Sequence, residues 1–236
     1  MQFCIGLSAW LSSKSGLLAF QPRPGDVYLA SYARSGTTWL QMIVYQLTTD
    51  GNMDFTHITG PIPYFERALM LGRDLNQLPS PRIFKTHMRY KQLPSGPYKR
   101  IYIARNGKDV LVSCFHFFRD NSTFKGTFEE FFAGFMAGVV PSGSWFRHVA
   151  EWSAHAADPN VLYVRYEDLV NHFEPTLRRI AAFLDRPIPA DKYASIAERC
   201  SFRFMKQHEE KFSFAQEVML EHGFTGQGFI RSSQLA

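Results

Sequence analysis

The sequence predicts an α/β fold, a single domain with a central parallel sheet flanked by helices. Three observations predict it. Short apolar runs alternate with stretches of helical periodicity along most of the chain, as in parallel strands joined by crossover helices. The 236 residues are enough for one sizeable core. A hydrophobic fraction of 45% and a charged fraction of 20% are those of an ordinary globule.

The elements follow in order. "RPGD" (Arg23–Asp26) is a turn signal, and "VYLASYA" after it reads as a short buried strand. Thr37 or Thr38 then N-caps a helix whose buried face carries Leu40, Ile43, Val44 and Leu47, and Gly51 lies where it stops. "RIFKTH" (Arg82–His87) and "KRIYIARN" (Lys99–Asn106) read as the second and third strands. A helix begins near Lys108, with Val110, Leu111, Cys114 and Phe117 on one side. Helical segments run through Thr127–Gly138 and Ser142–Ala156. "NVLYVRYED" (Asn160–Asp168) is the fourth strand, followed by a helix with Phe173, Leu177, Ile180, Ala181 and Leu184 on one face. The closing stretch, rich in Phe, Gln, Glu and Gly, reads as loop or lid. Ligands of such sheets bind beyond the carboxyl ends of the strands.

Composition excludes several classes. Lys plus Arg total 26 against 21 Asp plus Glu, and no Lys/Arg-rich run appears, which suits a small anionic ligand and not a nucleic-acid groove. Cys4, Cys114 and Cys200 are far apart and form no C-x-x-C pair, so neither a disulfide framework nor a zinc site is expected. The 8 histidines show no metal-ligand spacing, and no metal is expected. No apolar stretch is long enough to span a membrane, so no membrane partner is expected. Residues 1–16 form an atypical N-terminal segment without a basic n-region, and a cytoplasmic chain is expected. The sequon at Asn121 is then coincidental. The 22 Phe and 10 Tyr imply an aromatic core first and an aromatic-lined pocket second. Phe115, Phe118 and Phe131 are read chiefly as core.

Three stretches carry chemistry. "ARSGTTW" links the first strand to its helix. Backbone N–H groups at the helix start, hydroxyls from Ser35, Thr37 and Thr38, and the Arg34 fork make an anion site around Gly36. The loop lacks the lysine that follows the glycine in a P-loop, so a conventional ATPase or kinase is not the first reading. "ARNGKDVLVSCFHFF" places Arg105 at a strand end and Ser113 in the next helix, both toward the same crevice. "FKTHM" places Lys85 and His87 two apart on one strand face. A His of near-neutral pKa can take a hydroxyl proton, and a Lys beside it can offset charge on a transferring group.

Together "SYARSGTTWLQMIVYQL", "FKTHM", "RNGKDVLVSCFHFF" and "VRYEDL" resemble, in order, the motifs of the cytosolic sulfotransferases. The resemblance runs from about Leu17 to Arg231, so residues 17–236 are taken as the sulfotransferase domain. It implies a fold like that of the P-loop nucleotide kinases. It also implies transfer of a sulfuryl group from 3′-phosphoadenosine 5′-phosphosulfate (PAPS) to a hydroxyl or amine of a small aromatic, steroidal or monoamine acceptor.

By the same resemblance Arg34, Ser35, Gly36, Thr37 and Thr38 hold the 5′-phosphosulfate, and Trp39 stacks on adenine. Arg105 and Ser113 read the 3′-phosphate, and Tyr166 contacts adenine. "CSFRFM" closes on the nucleotide through Ser201, Phe202 and Met205, and Arg231 belongs to the closing phosphate loop. His87 is the base, Lys85 and Arg34 supply charge, and Tyr64 or Phe65 with His87 line the acceptor side. In-line transfer of this kind rests on positioning and fixed positive charge, so no metal is required.

The chain departs from the family where Pro-Lys becomes Ala33-Arg34. Donor binding is expected to survive that change and transition-state geometry to shift. It departs again where "FIRSSQLA" replaces a longer closing pattern that carries phosphate contacts and a dimer segment, so the C-terminal end is expected to be shortened and a homodimer to lack that segment. Two other readings stay open: a PAP- or PAPS-binding member of the fold with weak or no activity, and a small-molecule or nucleotide kinase.

Overall fold

The computed structural model describes residues 15–49, 51–120 and 123–213. Asn121, Arg231, residues 214–236 and nearly all of the N-terminal segment lie outside the described residues; the described part of the last forty or so residues, expected as loop or lid, holds a helix at Phe202–Gln207. Four strands form the sheet: β1 (Val27–Ser31), β2 (Ile83–Thr86), β3 (Lys99–Ala104) and β4 (Val161–Arg165). Their order is β2-β1-β3-β4, and every pairing is parallel. The helices are α1 (Thr37–Thr48), α2 (Phe65–Met70), α3 (Gly107–Asp120), α4 (Phe128–Ala137), α5 (Trp145–Ser153), α6 (Tyr166–Asn171), α7 (Phe173–Phe183), α8 (Tyr193–Arg199) and α9 (Phe202–Gln207).

Strand alternation divides the core between the two faces of the sheet. Leu29, Ile101, Ile103 and Val164 pack with Leu40, Ile43 and Val44 of α1 and with Leu177 and Ile180 of α7. On the other face Tyr28, Phe84 and Tyr102 pack with Phe65 and Trp152. Tyr102 and Trp152 stack with centroids 4.7 Å apart and planes 8° from parallel. A third cluster holds Phe131, with Phe115 and Phe118 against it. Much of the aromatic content is therefore structural.

The fourth strand is shorter than expected. It ends at Arg165, and Tyr166 opens α6. Glu167 and Asp168 fall in the first turn of that helix, where carboxylates favour the positive end of the dipole. Tyr166 is thereby turned from the sheet toward the loop that follows β1.

The amino end of the sheet is closed by an ion pair. Arg82 donates to both oxygens of Asp26, at 2.8 and 2.6 Å, and both side chains are fully buried. Its remaining donors reach the carbonyls of Leu75 and Gln21. The carboxyl ends carry Ser31, His87 and Arg105 or lead directly to them.

Candidate functional site

The loop after β1 reverses through two left-handed residues, Arg34 at φ 65° and Gly36 at φ 97°. Gly36 is needed for space as well as conformation, because a Cβ there would stand 2.6 Å from Cδ2 of Tyr166. Gly36 itself occupies the N-cap of α1, and neither threonine caps the helix as expected. The Thr37 hydroxyl pairs with that of Ser31 instead, and Thr38 lines a neighbouring cleft. The start of α1 thus has no side-chain cap and no acid in its first turn. Ser35 is buried, and its Oγ has no hydrogen-bond partner among the described residues. A buried orphan hydroxyl beside an uncapped helix start costs free energy unless an acceptor meets it, and an anion is such an acceptor.

Arg34, Arg105 and Ser113 meet as the sequence implied. Arg34 Nε donates to Ser113 Oγ at 3.2 Å, and Arg105 donates to the Arg34 carbonyl at 3.3 Å. The Arg105 guanidinium lies 4.4 Å from the Tyr166 ring centroid, and that of Arg34 lies 4.9 Å from the Phe117 ring. Phe117, expected on the buried side of α3, is only partly buried and faces Arg34. Arg34 therefore reaches toward the Arg105–Ser113 end of the crevice, while its charge still helps depress the pKa values of Lys85 and His87.

Trp39 is fixed on three sides. Its Nε1–H donates to the Cys200 carbonyl at 2.8 Å, Phe173 stacks near-parallel at 6.0 Å, and Tyr166 meets it edge-on at 5.6 Å. The segment after Cys200 divides. Phe202 is exposed, Met205 is buried in the core, and the Ser201 hydroxyl caps α9 by accepting from Phe204 N–H at 3.1 Å.

Lys85 and His87 lie together at the other end of the crevice. Lys85 N–H donates to the Pro63 carbonyl at 2.9 Å, and Tyr64 forms a single parallel bridge with Lys85. That bridge sets the Lys85 Nζ 4.6 Å from the Tyr64 ring centroid, with the His87 ring edge-on at 5.4 Å. The His87 Nδ1–H donates to the Ser31 carbonyl at 2.9 Å, which leaves Nε2 as the accepting nitrogen. Phe65, the alternative to Tyr64 on the acceptor side, is fully buried against Phe20, Tyr28 and Phe84.

The electrostatics correct one expectation. Burial, with Lys85 alongside, pushes the His87 imidazole down to about 3 and not near neutrality. Burial likewise pushes Lys85 down to about 8, against the pull of Glu66. Glu66 is pushed up to about 7 by burial. Glu66 and His148 escaped the sequence reading. Glu66 accepts the His87 backbone N–H at 2.6 Å, and His148 Nε2–H donates to the His87 carbonyl at 3.1 Å. Glu66 ends the segment read for Tyr64 and Phe65, His148 lies in no motif, and only the fold brings both to His87.

Among the described residues no group of His, Cys, Asp or Glu is arranged to hold a metal ion, and no helix is long and apolar enough to cross a membrane. The family model described as "Sulfotransferase domain" matches residues 24–235. Mouse (Mus musculus) sulfotransferase 1B1 is 37% identical over 218 residues, covering 86% of this chain and 73% of that protein. The structure of mouse sulfotransferase SULT7A1 complexed with PAP superposes with a TM-score of 0.71 at 34% identity, over 83% of this chain and 70% of the other. Retinol dehydratase in complex with androsterone and inactive cofactor PAP gives a TM-score of 0.83 at 25% identity, over 95% and 78%. A family match that spans nearly the whole chain, with relatives alike in both sequence and fold, places this protein in the sulfotransferase family.

Proposed function

We propose that the protein transfers a sulfuryl group from PAPS to a hydroxyl or amine of a small aromatic, steroidal or monoamine acceptor, in line, with His87 as base. The observation that carries the reading is the fixed tautomer of His87 beside Lys85: Nδ1–H is committed to Ser31, and Nε2 is left to accept a proton. PAP in the structures of mouse SULT7A1 and retinol dehydratase supports a donor of this class.

The residues fit that donor. The uncapped start of α1, with Ser35, Thr37 and Thr38, takes the 5′-phosphosulfate, and the orphan Ser35 hydroxyl gains its acceptor. Arg105 and Ser113, with Arg34 between them and the loop, take the 3′-phosphate. Trp39 and Tyr166 offer the adenine its aromatic contact. The Cys200 carbonyl, at the head of the segment that carries Ser201, Phe202 and Met205, holds Trp39 on that side. PAPS supplies the sulfuryl group. The acceptor oxygen or nitrogen bonds to sulfur, the bond from sulfur to the bridging phosphate oxygen breaks, and its electron pair leaves with PAP.

His87 Nε2 takes the acceptor proton, and Lys85 offsets charge developing on the bridging oxygen. Glu66 and His148 hold the His87 backbone from both sides and so orient the ring. Negative charge from a bound donor raises the pKa of both His87 and Lys85, which brings His87 nearer a useful basicity and keeps Lys85 charged.

The test is incubation with labelled PAPS, or with ATP and Mg²⁺, and a panel of phenols, monoamines and sterols, with and without EDTA. Sulfonated product unaffected by EDTA is expected. Metal-dependent phosphorylation would replace this reading by a kinase, and PAP binding without product by a nucleotide-binding protein.

A further inference from the structure

Beside Lys85 opens a cleft that no carboxylate lines among the described residues. Tyr64 and Lys85 form one wall, and Arg67, Arg73 and His57 are also in its lining. Local geometry brings the two arginines together. α2 ends in a Schellman turn: Gly72 is left-handed at φ 68°, Gly72 N–H donates to Leu69 at 3.0 Å, and Arg73 N–H donates to Ala68 at 2.9 Å. The turn folds Arg73 back beside Arg67, whose pKa is lowered first by burial and then by Arg73.

Among the described residues, neither Arg67 nor Arg73 has a carboxylate within ion-pair distance. Glu66, next to Arg67, is instead committed to the His87 N–H and to the field of Lys85. His57 does not compete for an anion, because its Nε2–H donates to the Ser213 carbonyl at 2.7 Å and burial lowers its pKa. Two adjacent like charges repel each other and are favourable around an acid group.

We propose that this cleft selects acceptors carrying their own negative charge. The ligand is an aromatic hydroxyl compound with a carboxylate or similar acid group away from the hydroxyl. Its ring lies against Tyr64, its hydroxyl points to His87 and Lys85, and Arg67 and Arg73 hold the acid. This rests on Lys85 and His87 being the transfer centre, and it disfavours the cationic monoamines among the acceptors considered above.

The test is calorimetric binding of para-hydroxyphenylacetate, its methyl ester and tyramine to the full chain saturated with PAP, at low ionic strength. The acid is expected to bind about tenfold more tightly than the ester, the scale of a charge-assisted contact, and tyramine more weakly than either. In Arg67→Gln and Arg73→Gln that acid-to-ester ratio falls toward one, while Arg67→Lys keeps part of it. Equal binding of acid and ester by the native protein overturns the proposal with no variant needed, as does an unchanged ratio in both glutamine variants. Turnover with PAPS, measured in parallel, separates the two readings. Sulfonation without acid preference retains the transfer centre and removes the anion cleft. Acid preference without sulfonation does the reverse.

Discussion

At the amino end of the sheet Arg82 meets Asp26 through two nitrogens, both side chains are fully buried, and its other donors reach backbone carbonyls. At the carboxyl end Arg34 and Arg105 meet beside Ser113, and Lys85, Arg67 and Arg73 line the cleft next to them, with Glu66, Asp109 and Glu167 among the acids nearby. The first arrangement is complete within the protein. The second holds an excess of positive charge that an anionic ligand completes. The same residue type thus locks the fold at one end and prepares chemistry at the other, and the difference lies in whether a counter-charge is built in.

The comparison can be broken at either end. The largest effect is expected for His87→Ala, which should lower turnover by roughly 10²–10⁴-fold while PAP affinity and thermal stability stay near native. A variant with near-native rate in steady-state assays would remove the base role. At the opposite end Arg82→Ala strands Asp26 as an uncompensated buried charge. It should cost about 3–5 kcal/mol of unfolding free energy in denaturant titrations, with the rate per folded molecule preserved. A loss of activity in molecules that remain folded would show that the two ends are coupled.

The next effect is one of pH. Lys85 in the free protein is cationic below about 8 and loses its charge above it. The kcat/KM for PAPS should therefore fall above about pH 8, whereas kcat, which reports the donor-bound state, should hold to higher pH. Lys85→Arg should remove the alkaline limb, and a limb unchanged in that variant would assign it to another group. The smallest effect is expected for Arg34→Lys. The loop keeps its charge, the Nε contact to Ser113 is lost, and turnover should change more than donor affinity. Calorimetry with PAP beside steady-state rates checks the order.

Much of this crevice is legible in the sequence. Strand periodicity places Lys85, His87 and Arg105 at strand ends, and the strand–glycine–helix pattern places the loop at Gly36. Other parts depended on contacts between distant segments. Tyr64 and Phe65 are neighbours, and the single bridge to Lys85 decides that Tyr64 enters the cleft while Phe65 joins the core. The threonines read as caps because their residue type favours caps, but Ser31 captured Thr37. His87 looked neutral-range because its burial and the proximity of Lys85 are tertiary facts. Arg67 and Arg73 carried no motif, and a Schellman turn made them a pair.

Gly36 has a further consequence, for folding order. Its missing side chain leaves the space that Tyr166 fills, so one wall of the anion loop comes from α6, in the far half of the chain. The loop sequence emerges early in synthesis, but its shape is completed only when β4 and α6 dock. Such a late, long-range closure is the slow kind, because the entropy of bringing distant segments together must be met before their contacts form. A nascent chain still lacking α6 would carry every hydroxyl of the loop and not yet the surface that shapes it.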